Sequence, residues 1–150
     1  MKLQETDREF METFERFAFD EVVHEEGQEL DDQTRYMAIL SALIGCQGKE
    51  AFQMILPKAL EAGVTPVMVK EIVYQSVDYV GFGRMLPFLE ITNQVLEEGG
   101  IPLPLENQGT TTAENRLEKG AEAQAEIFGE QMKEAWKAGH INCWLAANCF

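Results

Sequence analysis

The residue in this chain best suited to chemistry is Cys46, which follows an apolar run and opens the sequence Cys46-Gln47-Gly48-Lys49. A cysteine reacts as its thiolate, and a nearby lysine can stabilise that form. The same position also suits a small cysteine that is buried and only packs. Because no partner base is evident, the sequence favours the packing interpretation and keeps the reactive thiol as the alternative.

The remaining cysteines and the histidines form no recognisable site. Cys143 and Cys149 are six residues apart, which places them on different faces of a helix and does not match a redox or metal spacing. His24 lies three residues after Glu21, a grouping that can bind metal in helical bundles. It is a single cluster on a polar helix face, so we predict no metal site. His140, beside a glycine, is expected at the surface or in a helix cap.

Arg35 is a second candidate because a guanidinium can bind a substrate carboxylate through two parallel hydrogen bonds. The alternative, which we favour, is an ion pair with Glu71 or Asp78. Tyr79 is expected to pack at a helix end. The chain contains no phosphate-binding glycine loop and no zinc-binding H-E-x-x-H sequence, so we predict no cofactor.

Composition limits the partners. The 150 residues carry 26 acidic and 12 basic side chains, for a formal net charge of −14. Such a surface repels phosphate backbones and anionic lipids, so we expect neither nucleic acid nor membrane as a partner. No apolar run approaches the roughly 20 residues of a membrane span, and the acidic first 25 residues do not resemble a signal peptide. Three cysteines suit a reducing compartment, and we predict a cytoplasmic location.

Local signals predict helices throughout. Thr6 to Glu9 has the form of a capping box, and the helix behind it should stop near Gly27. Asp31 is the predicted N-cap of a second helix through Ile44, which is apolar almost all round and therefore expected to be central. The third helix, Lys49 to Glu61, contains Pro57 and should kink or break there.

Two more helices and a linker follow. Thr65 and Pro66 should begin a helix that runs to about Val80, and Gly81 and Gly83 should break it. The next helix should run from Arg84 or Met85 to Glu98. Glycines and prolines then mark residues 101–110 as a linker.

The last forty residues begin with a second capping box. Thr111 to Glu114 should start a long helix with a solvated glutamate face, interrupted at Gly139. A final apolar segment, residues 141–150, should begin another helix.

Three short motifs connect the chain to a known family. They are Ala59-Leu60-Glu61-Ala62-Gly63-Val64-Thr65, Lys70-Glu71-Ile72 and Tyr79-Val80-Gly81-Phe82. Their order and spacing resemble the carboxymuconolactone decarboxylase family, whose superfamily includes the AhpD-type alkylhydroperoxidases. The resemblance implies an all-α, AhpD-like helical bundle over residues 1–100. It also implies that residues 111–150 are the opening helices of a second, similar domain that is truncated. The other interpretation is a complete protein whose last helices pack on its own core or on a neighbour.

The resemblance also implies where reactive groups would lie. Redox members use a C-x-x-C pair with a nearby Glu and a His, and here only Cys46 is present because Lys49 stands in the second position. The family's His falls near Gln53 or Ile55, and its acid at Tyr36. Members of the family usually form homo-oligomers, often trimers of dimers.

Two functions remain open from the sequence. The first is an antioxidant, peroxiredoxin-like enzyme or a decarboxylase of small cyclic acids, in which Cys46 is the thiol and Glu50 and Arg35 are its polar neighbours. Its substrate would be a small-molecule acid or a peroxide. The second is a catalytically inactive family domain that serves as an oligomerisation or scaffold unit.

Overall fold

The computed structural model describes residues 3–27 and 30–139, and these residues form helices and loops without a strand. The contacts divide the chain into two units, residues 1–103 and residues 104–150, which we describe separately. The helices of the first unit are α1 Leu3–Thr6, α2 Arg8–Arg16, α3 Asp32–Gly45, α4 Lys49–Glu61, α5 Pro66–Gln75, α6 Val77–Val80 and α7 Phe82–Glu98. A π-helical turn, Phe17–Glu21, and a 3₁₀ turn, Val22–His24, follow α2.

The predicted caps of α3 and α5 are confirmed. The Asp31 carboxylate accepts hydrogen bonds from the Thr34 backbone N–H at 2.9 Å and from the Thr34 hydroxyl at 2.8 Å. These two bonds stabilise the charged form and lower the pKa of Asp31. The Thr65 hydroxyl accepts from the Met68 N–H at 3.2 Å, and Pro66 occupies the first turn of α5.

The core of the first unit lies between α3, α4, α5 and α7. The rings of Phe52 and Phe88, both fully buried, meet edge to face at 5.2 Å between centroids. The other core residues are Leu40, Ile44, Leu56, Ala59, Val64, Val69, Val73, Met85 and Val95. The prediction that α3 is buried all round was wrong, because only one stripe of it is covered and small residues such as Ala38 and Ala42 face outward.

Pro57 and Gly83 do not interrupt their helices, although both were predicted to do so. Helix α4 continues through Pro57 without a break. Gly81 ends α6 at φ +81°, as predicted, but Gly83 lies inside α7, which begins at Phe82. A glycine inside a helix lowers the stability by only about 0.5–1 kcal/mol relative to alanine. Gly83 therefore does not stop a helix whose apolar face is buried.

Near the N-terminus the capping residue was predicted one position too early. Asp7 is the residue that directly precedes α2, and the chain turns at Gly27 with φ +86°.

In the second unit the structure describes two helices, α8 Arg116–Phe128 and α9 Gln131–Lys137. The predicted single long helix was wrong, because Gly129 ends α8 at φ +98°. The helix also starts later than the predicted capping box. A hydrogen bond from the Thr112 side chain instead lowers the pKa of Glu114. The glutamate face is exposed as predicted, and Trp136 Nε1 donates to the buried Gln124 Oε1 at 3.1 Å.

Residues 140–150 lie outside the described residues. His140, Cys143, Cys149 and the predicted last helix therefore stay predictions, as does the interpretation of residues 111–150 as the start of a second domain.

Candidate functional site

Cys46 is the C-cap residue of α3, and its side chain is exposed. Its backbone N–H donates to the Ala42 carbonyl at 2.9 Å, and its thiol lies 3.6 Å from the Leu43 carbonyl oxygen. The prediction that Cys46 is a buried packing residue was therefore wrong. The side chain is accessible to a reagent. It lies at a helix C-terminus, however, whereas many catalytic thiols are activated at a helix N-terminus.

The turn after Cys46 is a doubly hydrogen-bonded helix cap with an unusual residue in it. The Gly48 N–H donates to the Leu43 carbonyl at 2.8 Å and the Gln47 N–H to the Ile44 carbonyl at 3.1 Å, the pattern of a Schellman motif. Gln47 occupies its left-handed position at φ +61°, and it is the one non-glycine residue with positive φ in the described part of the chain. That conformation costs about 1–2 kcal/mol for a residue with a Cβ.

The same motif ends two other helices, and both use glycine. Gly63 at φ +93° closes α4, where the Val64 N–H donates to the Ala59 carbonyl at 3.0 Å. Gly100 at φ +74° closes α7 in the same way. At Gln47 the side-chain amide compensates part of the cost, since its Nε2 donates to the Ile44 carbonyl at 2.8 Å.

Gly48 provides the space in which the thiol lies. A Cβ added at Gly48 would come within 3.2 Å of Leu43 Cδ2 and 3.4 Å of Cys46 Sγ. The turn thus fixes the thiol between its own helix end and the Gly48 backbone. The sequence signals the turn through Gly45 and Gly48, which end the helix as expected, but it does not predict the position of the thiol beside Gly48.

Glu50 belongs to a different part of the surface. It lies in the first turn of α4 and, with Lys49 and Gln53, forms one wall of a polar cleft of about 320 Å³. Glu90 and Gln94 of α7 lie on the opposite wall. Cys46 does not line this cleft. Gln53, which stands at one of the two positions expected for the family's His, is exposed beside Glu50.

The guanidinium of Arg35 is hydrogen-bonded to groups at the start of its own helix. Its guanidinium donates to the Asp32 carboxylate and, at 2.6 Å, to the Leu30 carbonyl. The predicted ion pair with Glu71 or Asp78 was wrong, because Asp32 lies one turn away on the same helix. Arg35 precedes Cys46 by eleven residues, roughly 16 Å along α3 at the usual rise per residue.

The structure therefore does not bring Arg35, Cys46 and Glu50 together in one site, and their roles in chemistry stay predictions. Tyr36, where the family has an acid, is half-buried and stacks on Phe19 with ring centroids 6.4 Å apart. No group of three or more potential metal ligands occurs in residues 3–27 and 30–139. The imidazole of His24 contacts the Asp20 carbonyl at 2.6 Å.

The four helices α3, α4, α5 and α7 around one core, with Cys46 in the turn between α3 and α4, form an AhpD-like helical domain. The sequence model of the carboxymuconolactone decarboxylase family matches residues 8–94, more than half of the chain. The chain therefore belongs to the carboxymuconolactone decarboxylase family, as the three motifs predicted.

Comparison with curated proteins and with solved structures gave no match. In the part of the chain that the structure describes, no helix has the length and apolar character that crossing a bilayer requires.

Proposed function

We propose that this chain is a catalytically inactive member of its family that serves as an assembly unit and associates with further copies of itself. The observation that carries the proposal is an aromatic face on α2 and the first residue of the π-helical turn that follows it, formed by Phe10, Phe14 and Phe17 and called here the N-terminal aromatic face. These three rings are 68%, 48% and 58% exposed, and large exposed apolar patches mark interaction surfaces.

The spacing of the three rings makes the face continuous. They recur at intervals of four and three residues, which is one side of a helix. Phe10 and Phe14 stack with their centroids 6.3 Å apart and their planes at 15°. Stacked, rigid rings offer a large apolar area whose ordering costs little entropy on binding.

A different face of this segment is already used within the first unit. Met11 is buried, the ammonium of Lys58 lies 5.3 Å from the centre of the Phe19 ring, and the same ammonium is 4.0 Å from the Glu15 carboxylate. These contacts lie on the side of the segment away from Phe10 and Phe17, which stay largely exposed, while Phe14 is half-exposed and meets Phe19 edge to face at 6.2 Å. A second copy is the favoured occupant because members of the family usually form homo-oligomers.

The separation of the site residues supports an inactive domain. A thiol enzyme of this type needs its nucleophile and a base within hydrogen-bonding reach of each other. Among the described residues, the thiol of Cys46 has the Leu43 carbonyl as its hydrogen-bond partner, and Arg35 is bound to Asp32.

Sedimentation velocity over a wide concentration range tests the proposal. The wild-type chain should sediment as an oligomer, and the double change Phe10→Ser and Phe17→Ser should shift it towards monomer because it removes two of the three exposed rings. Ile127→Ser, at a residue of the second unit that is also largely exposed, is the matched control and should leave the oligomer intact. A wild-type chain that stays monomeric at every concentration would refute the proposal.

The exposure of Cys46 supports a second candidate function, a lone-thiol peroxidase. The sulfur would attack one peroxide oxygen, the O–O bond would break, and the products would be a cysteine sulfenic acid and water, with sulfur oxidised by two electrons. An external thiol would then condense with the sulfenic acid to a mixed disulfide and water, and another external thiol would release Cys46 as a thiol and leave as the external disulfide.

Single-turnover reaction of the reduced protein with hydrogen peroxide decides between the two candidates. Cys46→Ser is the control, and it leaves Cys143 and Cys149 in place. Rapid consumption of peroxide that disappears in Cys46→Ser would establish the peroxidase and contradict the inactive-domain proposal. A rate equal to that of a free thiol would contradict the peroxidase.

A further inference from the structure

An apolar cleft lies on the first unit where α3, α5 and α6 meet. Its volume is about 340 Å³, and its aliphatic lining comes from Ile44, Ile72 and Val80. Gly45 also lines it, and a Cβ built there would meet nothing within 4 Å. Sites for small molecules usually have volumes of about 300–1,000 Å³ and a mostly apolar lining with a few polar groups. The cleft therefore has the size and character of a site for a small apolar molecule.

The two serines that line the cleft have already donated their hydroxyl protons. Ser41 Oγ donates to the Met37 carbonyl at 2.8 Å. Ser76 Oγ donates to the Val73 carbonyl at 2.7 Å. Because a hydroxyl carries one proton and two lone pairs, each of these oxygens can now only accept a further hydrogen bond. The polar group of a ligand in this cleft should therefore be a hydrogen-bond donor.

A carboxylate lies at the edge of the cleft. Gln75 is one of the lining residues, and its side-chain Nε2 donates a long hydrogen bond, 3.4 Å, to Glu71 Oε2. Glu71 forms no ion pair within residues 3–27 and 30–139. Its charge adds to the formal net charge of −14 that the whole chain carries. Both terms favour a cation over an anion at this edge.

An aromatic ring forms another part of the lining. Tyr79 borders the cleft and is nevertheless 88% exposed, which contradicts the expectation that it packs at a helix end. The face of a phenol ring attracts an ammonium group, and the attraction grows when the pair is shielded from water. Since the ring is almost uncovered, a cation bound in the cleft has access to it.

We infer that this cleft is a binding site for a small apolar ammonium compound, of the class of a primary alkylamine. The alkyl chain lies against the aliphatic lining, and the ammonium group donates to the serine oxygens on the side of Glu71 and Tyr79. A carboxylate is the disfavoured ligand, because it would meet accepting oxygens and a second negative charge. Cys46 does not line the cleft, and the inference depends neither on that thiol nor on the proposed assembly function.

Methyl chemical-shift titrations with hexylamine, hexan-1-ol and hexanoate at pH 7 test the inference, because the three probes share one alkyl chain and differ in charge. Hexylamine should shift the methyl signals of Ile44, Ile72 and Val80 until they saturate. It should bind at least about tenfold more tightly than hexanoate, with the alcohol between them. Equal affinities for the amine and the carboxylate would overturn the inference, and so would shifts confined to methyl groups outside the cleft.

A pair of glycine variants tests the location. Gly45→Leu places a side chain in the cleft, where its Cβ meets nothing, and should weaken hexylamine binding by at least about tenfold. Gly83→Leu is the matched control, because Gly83 also lies within a helix and has open space around its Cβ but does not line the cleft. The control should bind hexylamine as the wild-type chain does. Unchanged binding in Gly45→Leu would place the amine elsewhere and overturn the inference.

A pair of glutamate variants separates a specific site from attraction by the net charge alone. Glu71→Gln should weaken hexylamine binding by about three- to tenfold and leave hexan-1-ol binding unchanged, because the alcohol has no charge to pair. Glu90→Gln removes the same charge from the separate polar cleft between α4 and α7 and should change the affinity for hexylamine by less than about twofold. If the two variants weaken hexylamine binding equally, the amine responds only to net charge and the inference is overturned.

Discussion

Two identical substitutions, Gly45→Ala and Gly63→Ala, should change the stability of the first unit in opposite directions. Gly45 is the last residue of α3 and has a helical conformation, whereas Gly63 occupies the left-handed position of the cap that ends α4. Steric contact does not distinguish them. A Cβ at Gly45 would meet nothing within 4 Å, and one at Gly63 would meet only the Gln33 amide, at 3.9 Å.

The magnitudes follow from two terms. Alanine reduces the conformational entropy of the unfolded chain, which stabilises the protein by about 0.4–1 kcal/mol where the native backbone accepts a Cβ. That gain applies to both positions. At Gly63 the left-handed conformation costs about 1–2 kcal/mol in addition. Gly45→Ala should therefore stabilise the fold by somewhat under 1 kcal/mol, Gly63→Ala should destabilise it by about 1 kcal/mol, and the difference between the variants is the left-handed penalty itself.

Urea denaturation followed by far-ultraviolet circular dichroism measures the difference. With an m-value of about 2 kcal/mol per molar urea, within the usual range of about 1–3, the two midpoints should differ by roughly 0.5–1 M, with unchanged slopes. Equal midpoints would refute the cap geometry at Gly63. The interpretation of the turn after Cys46 would then fall as well, because the two caps share the same hydrogen bonds. A difference of the expected size between the midpoints would imply that the left-handed conformation of Gln47 has a similar energetic cost, offset in part by the hydrogen bond from its side chain to the Ile44 carbonyl.

Two further predictions concern a buried lysine and a helix cap. Lys70 is buried, with its ammonium bound to the Asn93 side-chain carbonyl. In urea denaturation, Lys70→Ala should lower the free energy of unfolding by about 2 kcal/mol more than Lys70→Met does, because only alanine removes the packed stem. Equal losses would assign the stability to the charge instead. Asp31 has a lowered pKa when folded, so its contribution is present above the ordinary aspartate value of about 3.9 and is lost as pH falls through the lowered pKa. Asp31→Asn keeps the cap and should show a flatter stability profile in that acidic range, measured by denaturation from pH 2 to 6; parallel profiles would contradict the assignment.

The sequence predicted those elements whose determinants are local. Asp31 and Thr65 were found because an N-cap needs only a short polar side chain followed by free amide groups. Glycines were less informative, since Gly129 ends a helix and Gly83 does not. Their effect depends on φ and on whether the helix face that continues past them is buried, which the one-dimensional pattern does not contain.

The candidate site and the helix ends near it were predicted less well, for three physical reasons. Arg35 was expected to pair across the bundle, but a carboxylate one turn away on the same helix is nearer than any tertiary partner. Gln47 was not recognised as a left-handed residue, because its conformation is stabilised by its own amide and by the cap rather than by residue type. Tyr79 was expected to pack, yet packing depends on what lies beyond the helix end.

Under the proposed assembly function, the chain has to keep its exposed apolar surface rather than a reaction centre. A reactive thiol needs neighbours that are held in place at a stability cost. Around Cys46 the polar groups instead bond to the backbone at the end of α3: the Gln47 side-chain amide donates to the Ile44 carbonyl, and the thiol has the Leu43 carbonyl as its partner. Exposed apolar side chains lie elsewhere on the first unit, among them Phe10, Phe14 and Phe17 and, around Gly81, Tyr79 and Phe82. Because apolar burial is the main favourable term in association, selection on this chain would act through its contacts with other copies. Substitutions at these surfaces should then impair function while leaving the stability of the isolated domain unchanged.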